Sequence, residues 1–335
     1  MELPDLIEYK KYKDDEYTLE QQIFGKILTK QPISEKEENI LDELISFYKE
    51  TTNELEKIDL TSLTEEDYND LCKFLQSFYN IIYPVQNKLD FQELYRVCIV
   101  NEGLREKGKI RHPKYISFPE LSYLTKRGKL NRANTFNSTL LYASSNLRVA
   151  MAEIKPQKDD YIIISKWEKT KAEKLNSYPI VNCEKEIANE FLKQSAQAFK
   201  QMYTLTHPKF AQIIDINLQF LASEFIKKVD NGSDKGYEYS FSSYYSDKII
   251  ETSKFDCIIY PSVPFEYKAD NVAIKPDNLK DYINITKGIK LILVQECKVK
   301  SIDYSKMDLN TDFYTLEFIR ESDWFKNDDI IWNDD

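Results

Sequence analysis

A chain of 335 residues, 42% of them apolar and 30% charged, is long enough for one large domain or two small ones and closes its core without disulfides or metals. A formal charge of -10 argues against binding along a phosphate backbone, so no direct nucleic-acid binding is expected, although a local basic patch stays open. No apolar run approaches the roughly 18 residues of a membrane span; no apolar signal core opens the chain, and Cys72, Cys98, Cys183, Cys257 and Cys297 lack metal or redox spacing, so the expectation is a cytoplasmic protein with reduced thiols, no membrane contact and no metal.

Only seven glycines occur, and neither G-x-G-x-x-G nor G-x-x-x-x-G-K-[ST] is present, which sets aside dinucleotide-fold and P-loop chemistry. Residues 1–88 are predicted to form a helical N-terminal region. Ser34 and Glu37 have capping-box spacing, and Ile40, Leu44, Phe47 and Tyr48 follow with a helical period. A second stripe, Tyr68, Leu71, Leu75, Phe78 and Ile82, ends at Pro84. These amphipathic helices either pack on the rest of the chain or dock a partner.

Residues 89–335 are predicted to form the second unit. "ELYRVCIV" (93–100), "LLYAS" (140–144), "YIIISKW" (161–167), "FDCIIYP" (255–261), "NVAIK" (271–275), "KLILVQEC" (290–297) and "FYTLEFI" (313–319) read as strands, being β-branched, aromatic and bounded in several cases by turn residues. Helices are predicted at 146–154, 185–201, 209–229 and 240–252, with Ile214, Leu218, Leu221 and Phe225 on one face of the third. The irregular order excludes repeated strand–helix units, and the fold class is α+β, with mixed, mostly antiparallel sheets and flanking helices. The basic segment from Arg105 to Arg132 reads as a long loop or lid.

The segment "NRANTFNSTLLYASSNLRVAMAEI" joins a strand to a short helix that is apolar nearly all round, and hence buried. Glu153 falls in its last turn, where the helix dipole repels an anion. A carboxylate there needs either a cationic partner or a chemical task.

Three blocks, "LYRV" around Arg96, "NRANTFNSTLLYASSNLRVAMAEIKP" and "FDCIIYPSVPFEYKADNVAIKP", resemble in order and spacing those of the RES-domain family, over residues 90–280. The matching arginine, glutamate and serine are Arg96, Glu153 and Ser262. Two departures are Asn131, where the family often has glycine, and Cys257 in place of the glycine of "FDGI". The resemblance implies an ADP-ribosyltransferase-like core that degrades NAD, typically as a toxin restrained by an antitoxin. NAD is then a substrate rather than a cofactor, with inorganic phosphate as co-substrate if the enzyme is a phosphorylase.

On that reading the catalytic set is Arg96, Tyr142, Glu153 and Ser262, and the substrate-binding set is Arg96, Arg132, Tyr142 and Ser262. Glu153 answers the positive charge that develops on the ribose, while Arg96 and Arg132 suit a pyrophosphate. Tyr142 would stack on nicotinamide or ribose, and Ser262 would reach a ribose or phosphate oxygen. Transfer of ADP-ribose to a macromolecule is the alternative enzyme. A catalytically inactive binding protein is the alternative of another class. His112 and His207, each followed by proline, are the only histidines that a Ser-His or Cys-His site could use. "REKGKIRH" (105–112) has the Arg-x6-His spacing of helical HEPN-type ribonucleases, but Gly108 and Pro113 oppose a helix.

Overall fold

The computed structural model describes residues 13–78, 87–100, 102–171, 174–229, 232–251, 254–286, 288–326 and 329–334. The fold is α+β with mostly antiparallel sheets and helices at the N-terminus. Helices α1 (Lys13–Leu28), α2 (Glu35–Glu56) and α3 (Glu65–Phe78) come first. The capping box at α2 is present: Ser34 Oγ accepts from the Glu37 amide, and Glu37 Oε2 accepts from the Ser34 amide. The buried face of α2 is rotated from the expected stripe, however. Leu41, Ile45, Tyr48 and Leu55 are buried, while Ile40, Leu44 and Phe47 are half-buried beside them. In α3, Tyr68, Leu71 and Leu75 are buried as expected; Ile82 and Pro84 lie outside the described residues.

Beyond α3 the chain builds two sheets. The first has the order β1 (Asn87–Leu89), β5 (Leu175–Pro179), β6 (Cys257–Ser262), β7 (Glu266–Ile274), β3 (Leu141–Ala143), with β5 and β6 parallel and the other pairs antiparallel. The second runs β10 (Tyr314–Ser322), β9 (Ile289–Ile302), β4 (Tyr161–Lys169), β2 (Glu93–Ile99), with β8 (Asn284–Thr286) also on β9. A hairpin of β11 (Trp324–Lys326) and β12 (Asp329–Ile331) completes the strands. The sheets meet where Tyr95 and Ser144 exchange backbone hydrogen bonds of 2.7 and 2.9 Å. All seven expected strands are present with shifted ends. The short strands β1, β5, β8, β11 and β12 escape sequence reading; runs of three to five residues carry little periodicity, and β3, equally short, is read from its apolar "LLYA" run.

Helices α6 (Glu190–Leu205), α7 (Pro208–Ile226) and α8 (Ser240–Glu251) cover the first sheet side. The first of these starts five residues later than expected, where Asn189 caps it by accepting from the Leu192 amide. α7 lies between α2 and β6, which explains why it buries Phe210, Ile213, Ile214, Leu218, Leu221 and Phe225 on more than one face. The N-terminal helices join the same hydrophobic cluster: Phe24 packs on Phe210, and Tyr68 stacks on Tyr237 with centroids 5.2 Å apart. The 105–132 segment is only partly loop. It contains α4 (Leu121–Arg127), closed by Gly128 in the left-handed region at φ 58°. Lys107 and Gly108, both at positive φ, turn the chain tightly near its start, so the 105–112 stretch is not a helix. No helix among the described residues is long and apolar enough to cross a membrane.

Candidate functional site

The site is assembled around α5 (Leu147–Ile154), which packs on β2 and β7 where the sheets diverge. Asn146 caps its start by accepting from the Arg148 amide at 2.9 Å, and Lys155, at φ 50°, ends it one residue before Pro156. Val149, Ala150, Met151 and Ala152 are buried. The all-round apolar pattern places Ile154 in the core too, but it is 41% exposed, because it faces a cavity instead. This geometry fixes Glu153 in the last turn, against the dipole. Two neutral donors offset that cost: Ser262 Oγ and Asn271 Nδ2 each donate to Glu153 Oε1 at 2.7 Å. The other oxygen, Oε2, has no partner among the described residues.

Register explains the convergence. Asn271 lies opposite Tyr260, and Ala273, two residues on, lies opposite Tyr142. Directly opposed residues project from the same side of a sheet, so Tyr142, Tyr260 and Asn271 share one face. Pro261 has no amide to give to the ladder, and the register shifts between it and Ser262. Past that irregularity the Ser262 side chain, fully buried, lies against Glu153.

The cavity measures about 460 Å³, within the range of small-molecule sites. Arg96, Arg132, Tyr142 and Glu153 all line it, as do Arg127 and Tyr239. Ser262 is not among the lining residues and donates to Glu153 from behind it. Arg96 donates through Nη1 to the Tyr142 carbonyl at 3.1 Å, while its buried Nε has no partner. Arg132 is more fully committed than a substrate clamp would be. It donates to the carbonyls of Glu224, Phe225 and Lys227 at the end of α7, at 3.3, 2.7 and 3.0 Å, and lies over the Tyr239 ring. The Tyr142 hydroxyl donates to Asn134 Oδ1 at 2.5 Å and accepts from the Ala133 amide at 2.9 Å, and the residue is half-buried in the cavity lining.

Electrostatically, this is a cationic pocket in an acidic protein. Among the seven arginines of the chain, Arg105, Arg148 and Arg320 pair with carboxylates. Arg96, Arg127 and Arg132 have no carboxylate partner among the described residues, and all three line this cavity opposite a single carboxylate, Glu153. Burial pushes the Tyr142, Tyr239 and Tyr260 phenols up, with the Glu153 charge adding to the effect on Tyr239 and Tyr260, so all three stay protonated at neutral pH.

Neither histidine reaches the cavity. His112 sits between Asp329 and Glu106, and His207 contacts Glu38 at 2.8 Å. Cys257 is buried on the strand position opposite Ile274, away from the cavity, whereas Asn131 lines it. No group of His, Cys, Asp and Glu among the described residues could hold a metal ion. Sequence reading misses Asn271, Arg127, Tyr239 and Tyr260. For Asn271 and Tyr260 the available signal is strand alternation around "CIIYPS" and "ADNVAI". For Arg127 and Tyr239 no local signal exists. No family model matches this chain, and neither a curated protein nor a solved structure matches it significantly.

Proposed function

We propose that this cavity binds NAD and cleaves its nicotinamide–ribose bond, as a glycohydrolase or phosphorylase. The observation that carries the reading is the presence in one cavity of Arg96 and Arg127, neither paired with a carboxylate among the described residues, and of one carboxylate held by two donors. A pyrophosphate supplies the anion that the arginines lack, and planar guanidinium groups match phosphate oxygens. Arg96 and Glu153 line the same cavity and Ser262 donates to Glu153, so residues of the three RES-like blocks lie around one carboxylate, which supports the same reading.

As the bond between ribose C1′ and the nicotinamide nitrogen breaks, its electron pair passes to the pyridinium nitrogen, and nicotinamide leaves neutral. The ribose is left with oxocarbenium character. The free Oε2 of Glu153 stabilises that charge. It also takes the proton of an attacking water, whose oxygen forms the new bond to C1′; phosphate attacking the same carbon gives a phosphorylated product instead. Ser262 and Asn271 occupy Oε1 and so leave Oε2 for this task.

The test is nicotinamide release from NAD by the purified chain, with and without phosphate. Release that falls by about 100-fold or more in Glu153→Gln is expected; absence of release under both conditions overturns the proposal. In cells, free expression of such an enzyme should drain NAD and stop growth unless an antitoxin or another inhibitor restrains it.

A further inference from the structure

Helix α4 lines the cavity through Tyr123, Leu124 and Arg127, and the bond-breaking step at Glu153 uses none of them. Leu124 anchors it, being almost fully buried, and Thr125 Oγ1 donates to the Phe136 carbonyl at 3.1 Å. Tyr123 and Arg127 also line the cavity. They are four residues apart on a helix, which places them side by side on one face. Tyr123 is 55% exposed, a large aromatic surface left in water at a cavity rim. Arg127, also exposed, has no carboxylate partner among the described residues, in a chain where Asp and Glu outnumber Lys and Arg by 56 to 46. Gly128, in the left-handed region, ends the helix by donating to the Leu124 carbonyl at 2.9 Å, so both side chains stand in its last two turns.

We propose that Tyr123 and Arg127 form a nucleoside-diphosphate subsite, Tyr123 stacking on the base and Arg127 pairing with phosphate. An aromatic ring tolerates any base through its π face, and a guanidinium adds a charge-assisted contact to an anion. The subsite rests on the reading of the cavity as a dinucleotide site: it takes the end of NAD remote from the bond that breaks. Glu153 and the Tyr142 ring remain for the nicotinamide riboside end. The subsite therefore sets substrate class, favouring dinucleotides over nicotinamide mononucleotide.

The experiment uses the full chain and ADP, which lacks the scissile bond. Calorimetry should show ADP binding to the wild type, weakened roughly tenfold by Tyr123→Ala and again by Arg127→Ala. Tyr123→Phe, which keeps the ring, should retain binding. Both alanine changes remove exposed side chains, and thermal melts confirm that the variants stay folded. With NAD as substrate, the same two variants should raise KM far more than they lower kcat. No ADP binding at millimolar concentration, or binding unchanged in both alanine variants, overturns the subsite. ADP binding that falls as expected in a protein that releases no nicotinamide keeps the subsite and rejects the cleavage reading, so the two ideas fail separately.

Discussion

Ser262 donates its hydroxyl proton to Glu153 at 2.7 Å across 109 positions of sequence, and the serine is fully buried while the glutamate lines the cavity. The serine hydroxyl is thus spent on the carboxylate. That relationship separates groups that face a substrate from groups that hold others in place, and each class fails differently when removed.

Glu153→Gln keeps the shape and removes the charge. Turnover should fall by about 100- to 1,000-fold, equivalent to roughly 2.7–4 kcal/mol of transition-state stabilisation, with little change in ligand affinity. Arg96→Ala should show the opposite balance, with most of the loss in NAD affinity, because phosphate is held in ground and transition states alike. Nicotinamide release and calorimetry on both variants separate the two. Equal turnover in Glu153→Gln and wild type would make this carboxylate purely structural.

Asn271→Ala leaves Glu153 Oε1 with Ser262 as its remaining donor. We expect turnover to fall about tenfold, with KM nearly constant, and stability to drop by roughly 1.5–3 kcal/mol for a lost bond to a charged group. Steady-state kinetics alongside urea unfolding checks both. A stability loss with unchanged kcat would confine Asn271 to the fold.

Arg132 closes the C-terminus of α7, where a cation suits the helix dipole and three carbonyls receive its protons. Arg132→Ala should cost about 2 kcal/mol or more, because those carbonyls lose their partner. Arg132→Lys should recover only part, since an ammonium lacks the planar fork. The urea midpoint, at constant m-value, reports the difference.

Burial lifts the Asp270 carboxyl from near 3.8 to about 6. The folded protein then holds a proton that the unfolded chain has already released between those values. This contribution to stability is fully present below about 3.8 and lost as pH rises through 6, a change on the order of 3 kcal/mol. Asp270→Asn stays neutral, so it should be more stable than wild type at pH 7 and show a flatter profile between about pH 4 and 6. Urea unfolding across that range is the measurement; identical profiles would show that Asp270 does not carry the dependence.

Deleting residues 1–84 should unfold or aggregate the remainder rather than release a working unit. The α2 face of α7 and the ring of Tyr237 would lose their cover, exposing apolar core. Dye binding and circular dichroism would detect it. A folded, monomeric remainder with full turnover would show that these helices are dispensable; one that regains turnover when the helices are supplied in trans would show that they brace the site.

Local chemistry made a good part of this molecule legible. The Ser34–Glu37 box, the helix at 146–154 and seven of the strands come from capping and side-chain period, which act within a few residues. The order of helical and strand-like segments set the α+β class, composition set an acidic surface, and the residue types around Glu153 pointed to a site. Tertiary structure decided which of those residues face the cavity. Ser262 turned inward because of a register shift at Pro261, Arg132 was drawn to the end of α7, and Asn271 entered through its pairing opposite Tyr260. Even the buried face of α2 was chosen by α7, not by its own two competing apolar rows. The reason is that a side chain's free hydrogen-bonding capacity depends on neighbours brought close by sheet register and helix packing, over separations at which sequence periodicity carries no information.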